Sequence, residues 1–148
     1  MLDTCVALSP EQLRTAVPGT YGSILGTMRH LAGGDCLYLF WLTGERAHVV
    51  EPDGMDFSEL RAVIERNGAA WSAFLAQDLD AARIVRDVDD EGYARDASVG
   101  IRLAQALHHG SDHRSHICTG LTILGVEPPG IDVWDFGLES GRIVETAP

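Results

Sequence analysis

Three stretches of this 148-residue chain repeat apolar residues at close to the helical period of 3.6, and each is bounded by a cap or a breaker. The first runs from Thr20 to about Thr43, with Ile24, Met28, Leu31, Leu39 and Leu42 inward and Gly44 as a stop. The second starts at Asp56 or Ser58 and reaches about Gln77; its stripe is Leu60, Val63, Ile64, Trp71, Phe74 and Leu75. The third spans about Ile101 to Leu124 and is halted by Gly125 and Pro128-Pro129. A short helix opens at Ser9-Pro10-Glu11, where Ser9 and Gln12 have capping-box spacing, and ends at Pro18-Gly19. Another closes the chain over Ile131 to Leu138. Residues 45–55 read as loop, with Pro52-Asp53-Gly54 as a turn. Arg83 to Asp89 and Tyr93 to Val99 alternate in polarity around Asp89-Asp90-Glu91-Gly92, the pattern of a short β-hairpin, with extended loop as the alternative. Three long helices at this length predict one antiparallel helical bundle over residues 1–148, with Leu31, Leu39, Leu107 and Ile117 in its core.

Charge narrows the partners. Eleven cations against 22 acids leave a formal net charge of −11. Phosphate backbones and anionic membranes need clustered cations, so neither is an expected partner. Every cation is Arg; with no Lys, Schiff-base and P-loop lysine chemistry are excluded. No GxSxG and no glycine-rich phosphate loop occurs. The three cysteines, Cys5, Cys36 and Cys118, form no CxxC pair, and Cys36 and Cys118 are expected to be buried reduced thiols. No signal peptide is recognisable, and no apolar run approaches the ~20 residues that span a bilayer. A reducing cytoplasm is the expected location.

Four of the six histidines fall between His108 and His116. On a helix, residues i and i+4 share a face, so His109 and His113 can reach one ion together. His116 lies on nearly the same face, whereas His108 points about 100° away. A tight site needs a third donor. His30 is the histidine on the other inward-facing helix, beside Ser23, Gly26, Gly33, Leu37 and Trp41. Three neutral imidazoles would leave a coordination position open for water or substrate. The rival reading is a structural histidine that accepts a core hydrogen bond. Gly110 stands where HExxH proteases carry their Glu base, which disfavours that chemistry. No carboxylate falls clearly on the His109/His113 face, and His48 is expected in a solvated loop.

Two segments carry a resemblance. Pro18-Gly19-Thr20-Tyr21-Gly22-Ser23-Ile24-Leu25-Gly26-Thr27-Met28-Arg29-His30-Leu31 resembles the region around the first metal ligand of the DinB-like (DinB/YfiT-type) family. His109-Gly110-Ser111-Asp112-His113-Arg114-Ser115-His116-Ile117 resembles its second signature. Leu124-Gly125-Val126-Glu127-Pro128-Pro129 with Asp132 resembles the stretch that succeeds this signature in family members. The resemblance spans essentially the whole chain. It implies an all-α, up-down-down-up four-helix bundle, often dimeric, with a divalent metal on His30, His109 and His113. The chain departs from the pattern twice. Ser115 and His116 replace a Gly-Gln pair, which leaves His116 as a fourth ligand, a partner of the ligands, or neither. Met1 to Ser9 resembles only the tail of the family's first helix, so either that helix is shortened in this chain or residues upstream are absent; the shortened helix leaves apolar surface that a second copy would cover. Characterised relatives resemble metal-dependent thiol S-transferases and mycothiol-dependent isomerases. The resemblance therefore implies zinc or nickel, a small-molecule thiol and an electrophile. The alternatives are a hydrolase using metal-bound water and a metal-binding dimer module without turnover.

Overall fold

The computed structural model describes residues 1–89 and 91–146. Asp90, in the expected hairpin turn, lies outside the described residues. Two short helices come first, α1 (Leu2–Val6) and α2 (Pro10–Arg14). The capping box of α2 forms as expected: the Gln12 amide N–H donates to Ser9 Oγ and the Ser9 N–H donates to Gln12 Oε1.

Helix α3 covers Ile24–Thr43, starting four residues later than the apolar pattern suggests. The chain first makes a tight turn in which the Thr20 hydroxyl donates to the Val17 and Gly22 carbonyls. Gly22 sits at φ 149°, a value side-chain-bearing residues rarely adopt, and Ser23 then caps the helix. Gly44, at φ 77°, ends it as expected. Helix α4 covers Phe57–Leu75, and Asp56, not Ser58, supplies its cap through a reciprocal box with Glu59. Between them, a 3₁₀ turn at Arg46–His48 packs on α3 and buries His48 to 8% exposure, against the expectation of a solvated side chain. Strands β1 (Ile84–Val88) and β2 (Ala94–Ser98) pair antiparallel, with Arg86 opposite Asp96. Helix α5 (Val99–Ile123) comes directly after β2, and α6 (Val133–Glu139) ends the described fold.

Residue pairs give the helix directions. Ile24 meets Gly120 and Gly34 meets His109, so α3 and α5 run antiparallel. Arg29 bonds the Met55 carbonyl at the start of α4, and Cys36 bonds Asn67 farther along, so α3 and α4 run the same way. The three long helices expected are present. Among the described residues no fourth helix of comparable length completes a four-helix order; the short α1 and α2 pack on α4 and α3 instead.

Leu39, Leu60, Ile117 and Leu121 are fully buried, each contributing roughly 1.5–3 kcal/mol through removal from water. The rotational phase of α5 differs from expectation. Ala106, Gly110, His113, Ile117 and Leu121 face inward, which leaves Leu107 72% exposed. Leu31 is only half-buried, and so is Cys118, whose thiol lies 3.9 Å from the Pro129 carbonyl; Cys36 is buried as expected. On α4, Leu75 is exposed at the helix end, while Asn67 is buried and donates to Cys36 Sγ at 3.2 Å. A buried ion pair, Arg102 with Asp87, ties the hairpin to α5. No helix among the described residues is long and apolar enough to cross a membrane.

This packing sets two expected outcomes. A Cβ at Gly120 would lie 2.9 Å from Ile24 Cγ1, so Gly120→Ala should cost about 1–3 kcal/mol in urea unfolding. Burial pushes the Asp35 carboxyl up to about 6, against the pull of Arg114 and a hydrogen bond from Trp71. Its folded pKa lies above the unfolded value of about 3.9, so the native state holds this proton more tightly. That stabilisation is present at low pH and is lost as pH rises from about 4 to about 6. Asp35→Asn should therefore stabilise the protein by about 2 kcal/mol at pH 7, with the gain shrinking toward pH 4.

Candidate metal centre

Helix α3 supplies His30, and one face of α5 supplies His109 and His113 at i and i+4. The antiparallel crossing brings the three together. Each offers a ring nitrogen, and these atoms all lie within 4.8 Å of one another. His30 Nε2 and His109 Nε2 are 3.1 Å apart. Ring centroids are separated by 5.0 Å (His30–His109), 4.6 Å (His30–His113) and 4.5 Å (His109–His113).

Glycine permits this approach. A Cβ at position 34 would sit 2.5 Å from His109 Cε1, inside contact distance, so the imidazole occupies the space a side chain would take. Tyr21 covers the other side. Its ring stacks on His30 at 4.1 Å and 21°, meets His113 edge-on at 4.9 Å, and its hydroxyl lies 3.0 Å from His30 Nδ1. With Nδ1–H donating to the tyrosine oxygen, the His30 lone pair is left on Nε2, the atom facing His109. Tyr38 borders His109 at 5.5 Å.

Burial disfavours the charged form of all three rings. Burial lowers the pKa of His109 to about 4, helped by neighbouring His113 and His30 and opposed by Asp112. Burial likewise lowers those of His30 and His113, the latter also through His30 and His116. Neutral imidazole is the form that donates a lone pair. The buried Nδ1 atoms of His109 and His113 have no hydrogen-bond partner among the described residues. Two nitrogens bound to one tetrahedral ion at about 2.0–2.1 Å would stand about 3.3 Å apart, close to the separation seen here. The donor set thus fits a borderline divalent ion.

His116 does not join this trio. Its ring is 5.5 Å from that of His113, and its Nε2 lies 3.9 Å from Asp112 Oδ1. Asp112, His113 and His116 form a second group with metal-ligand spacing, so a carboxylate does reach this face of α5, contrary to the expectation from helical phase. His108 is exposed and apart, as its helical phase requires. Sequence reasoning gives Tyr21 no role. A signal is nonetheless present: an aromatic residue held between Gly19 and Gly22, both at positive φ, nine residues before a candidate ligand.

The family model described as the DinB family matches residues 1–140. No curated protein matches the chain. With the match running over nearly its full length and a histidine cluster able to hold a metal ion, the chain belongs to the DinB family.

Proposed function

We propose that the protein binds one divalent ion, zinc or nickel, through His30, His109 and His113, and acts as a thiol-dependent S-transferase or isomerase on a small electrophile. The observation that carries the reading is three converging imidazoles beside an open groove of ≈ 990 Å³ that His30 and Tyr21 help to line. When bound there, the ion would supply Lewis acidity that lowers the pKa of a thiol brought to it. The chain's own residues do the rest. Tyr21 fixes the tautomer and orientation of His30. Gly34 gives His109 its clearance. The three rings are neutral donors, so they leave the ion its full charge. His116, leaning toward Asp112 beside His113, serves in this reading as a partner of the ligands rather than a ligand. A reducing cytoplasm, where three free cysteines persist, is the proposed location.

The homodimer belongs to the same proposal. Val133, Trp134 and Phe136 of α6 are each more than half exposed, apolar surface of the kind a second copy covers. Light scattering at micromolar concentration should give twice the 16.0 kDa chain mass; a monomer mass removes this part of the reading.

Zinc- or nickel-loaded protein should consume a chlorinated nitroarene only when a low-molecular-weight thiol is present. Hydrolysis without thiol would replace the transfer reading with a hydrolase, and no turnover with any thiol would leave a binding module. His113→Ala should lose the ion in metal analysis yet keep its helical circular dichroism, because the core packs independently of the site. In excess metal it should also lose the stabilisation by bound ion, about 2.7 kcal/mol at a hundred times Kd. Tyr21→Phe should weaken metal affinity by about 10- to 100-fold in a chelator competition while leaving the melting temperature of the metal-free protein unchanged.

A further inference from the structure

The groove beside the histidines continues far past them. One helical stripe of α3 forms its floor: Gly26, His30, Gly34, Leu37 and Trp41 recur at the spacing of a single face, and the capping Gly44 follows. Ten residues separate His30 from Phe40, so the floor extends about 15 Å beyond the site at 1.5 Å per residue. Along that distance the walls mix apolar side chains, Val49 and Val50 on the segment after α3 and Val88 at the end of β1, with charged ones from the same two segments.

The charges along this groove are unevenly used. Arg86 is bound by Asp96, while Asp87 and Asp89 are held by Arg95, and Asp87 also by Arg102. Arg46 is different. Among the described residues no carboxylate pairs with it, and its guanidinium lies 5.9 Å from the Phe40 ring at the end far from the histidines. Near the histidine end the uncommitted side chains are acidic, Glu51 and Asp53, flanking Pro52 where it packs on Gly33. A ligand carboxylate is repelled at that end and attracted to the other.

We propose that this groove binds an elongated amphipathic carboxylate, its carboxylate on Arg46, its apolar body along Leu37, Phe40 and Trp41, and its opposite end at the histidine cluster. Arg suits the task, since its planar fork meets a carboxylate with two parallel hydrogen bonds. The volume suits one such ligand. The binding itself is independent of any chemistry. The further statement that this ligand is the electrophile, with its reactive end at the metal, rests on the thiol-transfer reading above.

The test uses the full chain without metal. Dodecanoate and dodecyltrimethylammonium, matched in chain length and opposite in charge, are titrated below their micellar concentrations by calorimetry. Dodecanoate should bind at least tenfold more tightly than the cation. Arg46→Ala should weaken dodecanoate at least tenfold, and Arg46→Glu should reverse the preference. Both Arg46 variants change an exposed side chain, and their circular dichroism should match the parent. Equal affinity for the two probes, no dodecanoate binding, or equal affinity of parent and Arg46→Ala would each overturn the assignment. Failure of one reading is distinguishable from failure of the other. Thiol turnover by a protein that ignores dodecanoate sinks only the groove; Arg46-dependent dodecanoate binding without turnover sinks only the transfer chemistry.

Discussion

The close approach of α3 and α5 is the constraint on which everything else depends. Two glycines set it at opposite ends of the contact. Gly120 lets Ile24 of α3 pack against α5, and Gly34 lets His109 of α5 fold its ring against α3. Two helices carrying ordinary side chains at both points would stand farther apart, and an ion cannot bridge donors that are too distant to share it. The same spacing decides which residues are buried. Gly110, His113 and Gly120 share the inward face of α5 with Ala106, Ile117 and Leu121, while Leu107 is turned outward.

Much of this is legible in the sequence. Capping chemistry is local, so Ser9-Gln12, Asp56-Glu59 and Gly44 delimit elements where their residue types predict. The histidine pair is legible for the same reason, since i, i+4 geometry is a property of one helix. The misses concern information that lies in another segment. Apolarity alone favours Leu107 for the core, yet the inward face of α5 is the one carrying Val99, Arg102, Ala106, Ile117 and Leu121, with Arg102 paired to the hairpin. His48 looks like loop until the 3₁₀ turn lays it on α3. Tyr21 has no periodicity to announce it, because it sits in a turn and acts through a stacking partner nine residues away. The departure of Met1 to Ser9 from the family's first helix does show in the sequence: α1 is only Leu2–Val6, and no fourth long helix stands among the described elements.

The hairpin is small beside the helices, yet its buried charges tie it to the site. Asp87 of β1 is almost wholly out of water, and Arg102 beneath it donates to Asp87 and to the Val85 carbonyl. Arg102 also lies 5.4 Å from the Trp41 ring. One guanidinium thus joins the hairpin, the groove floor and the helix that carries two of the histidines. Removing either partner of such a pair strands a buried charge, which destabilises far more than the intact pair stabilises.

The parallel run of α3 and α4 has its own consequence. Two neighbouring helices that point the same way cannot be joined by a tight turn. The chain must travel back from Gly44 to Asp56, roughly 21 Å along α3 at 1.5 Å per residue, before α4 can begin. That return path is the outer wall of the groove, contributing Arg46, Val49, Val50 and Pro52. Topology therefore separates two inheritances. The candidate histidines sit on two helices held close by glycine, whereas the facing wall belongs to a connector outside both helices, seated on α3 through His48 and Pro52.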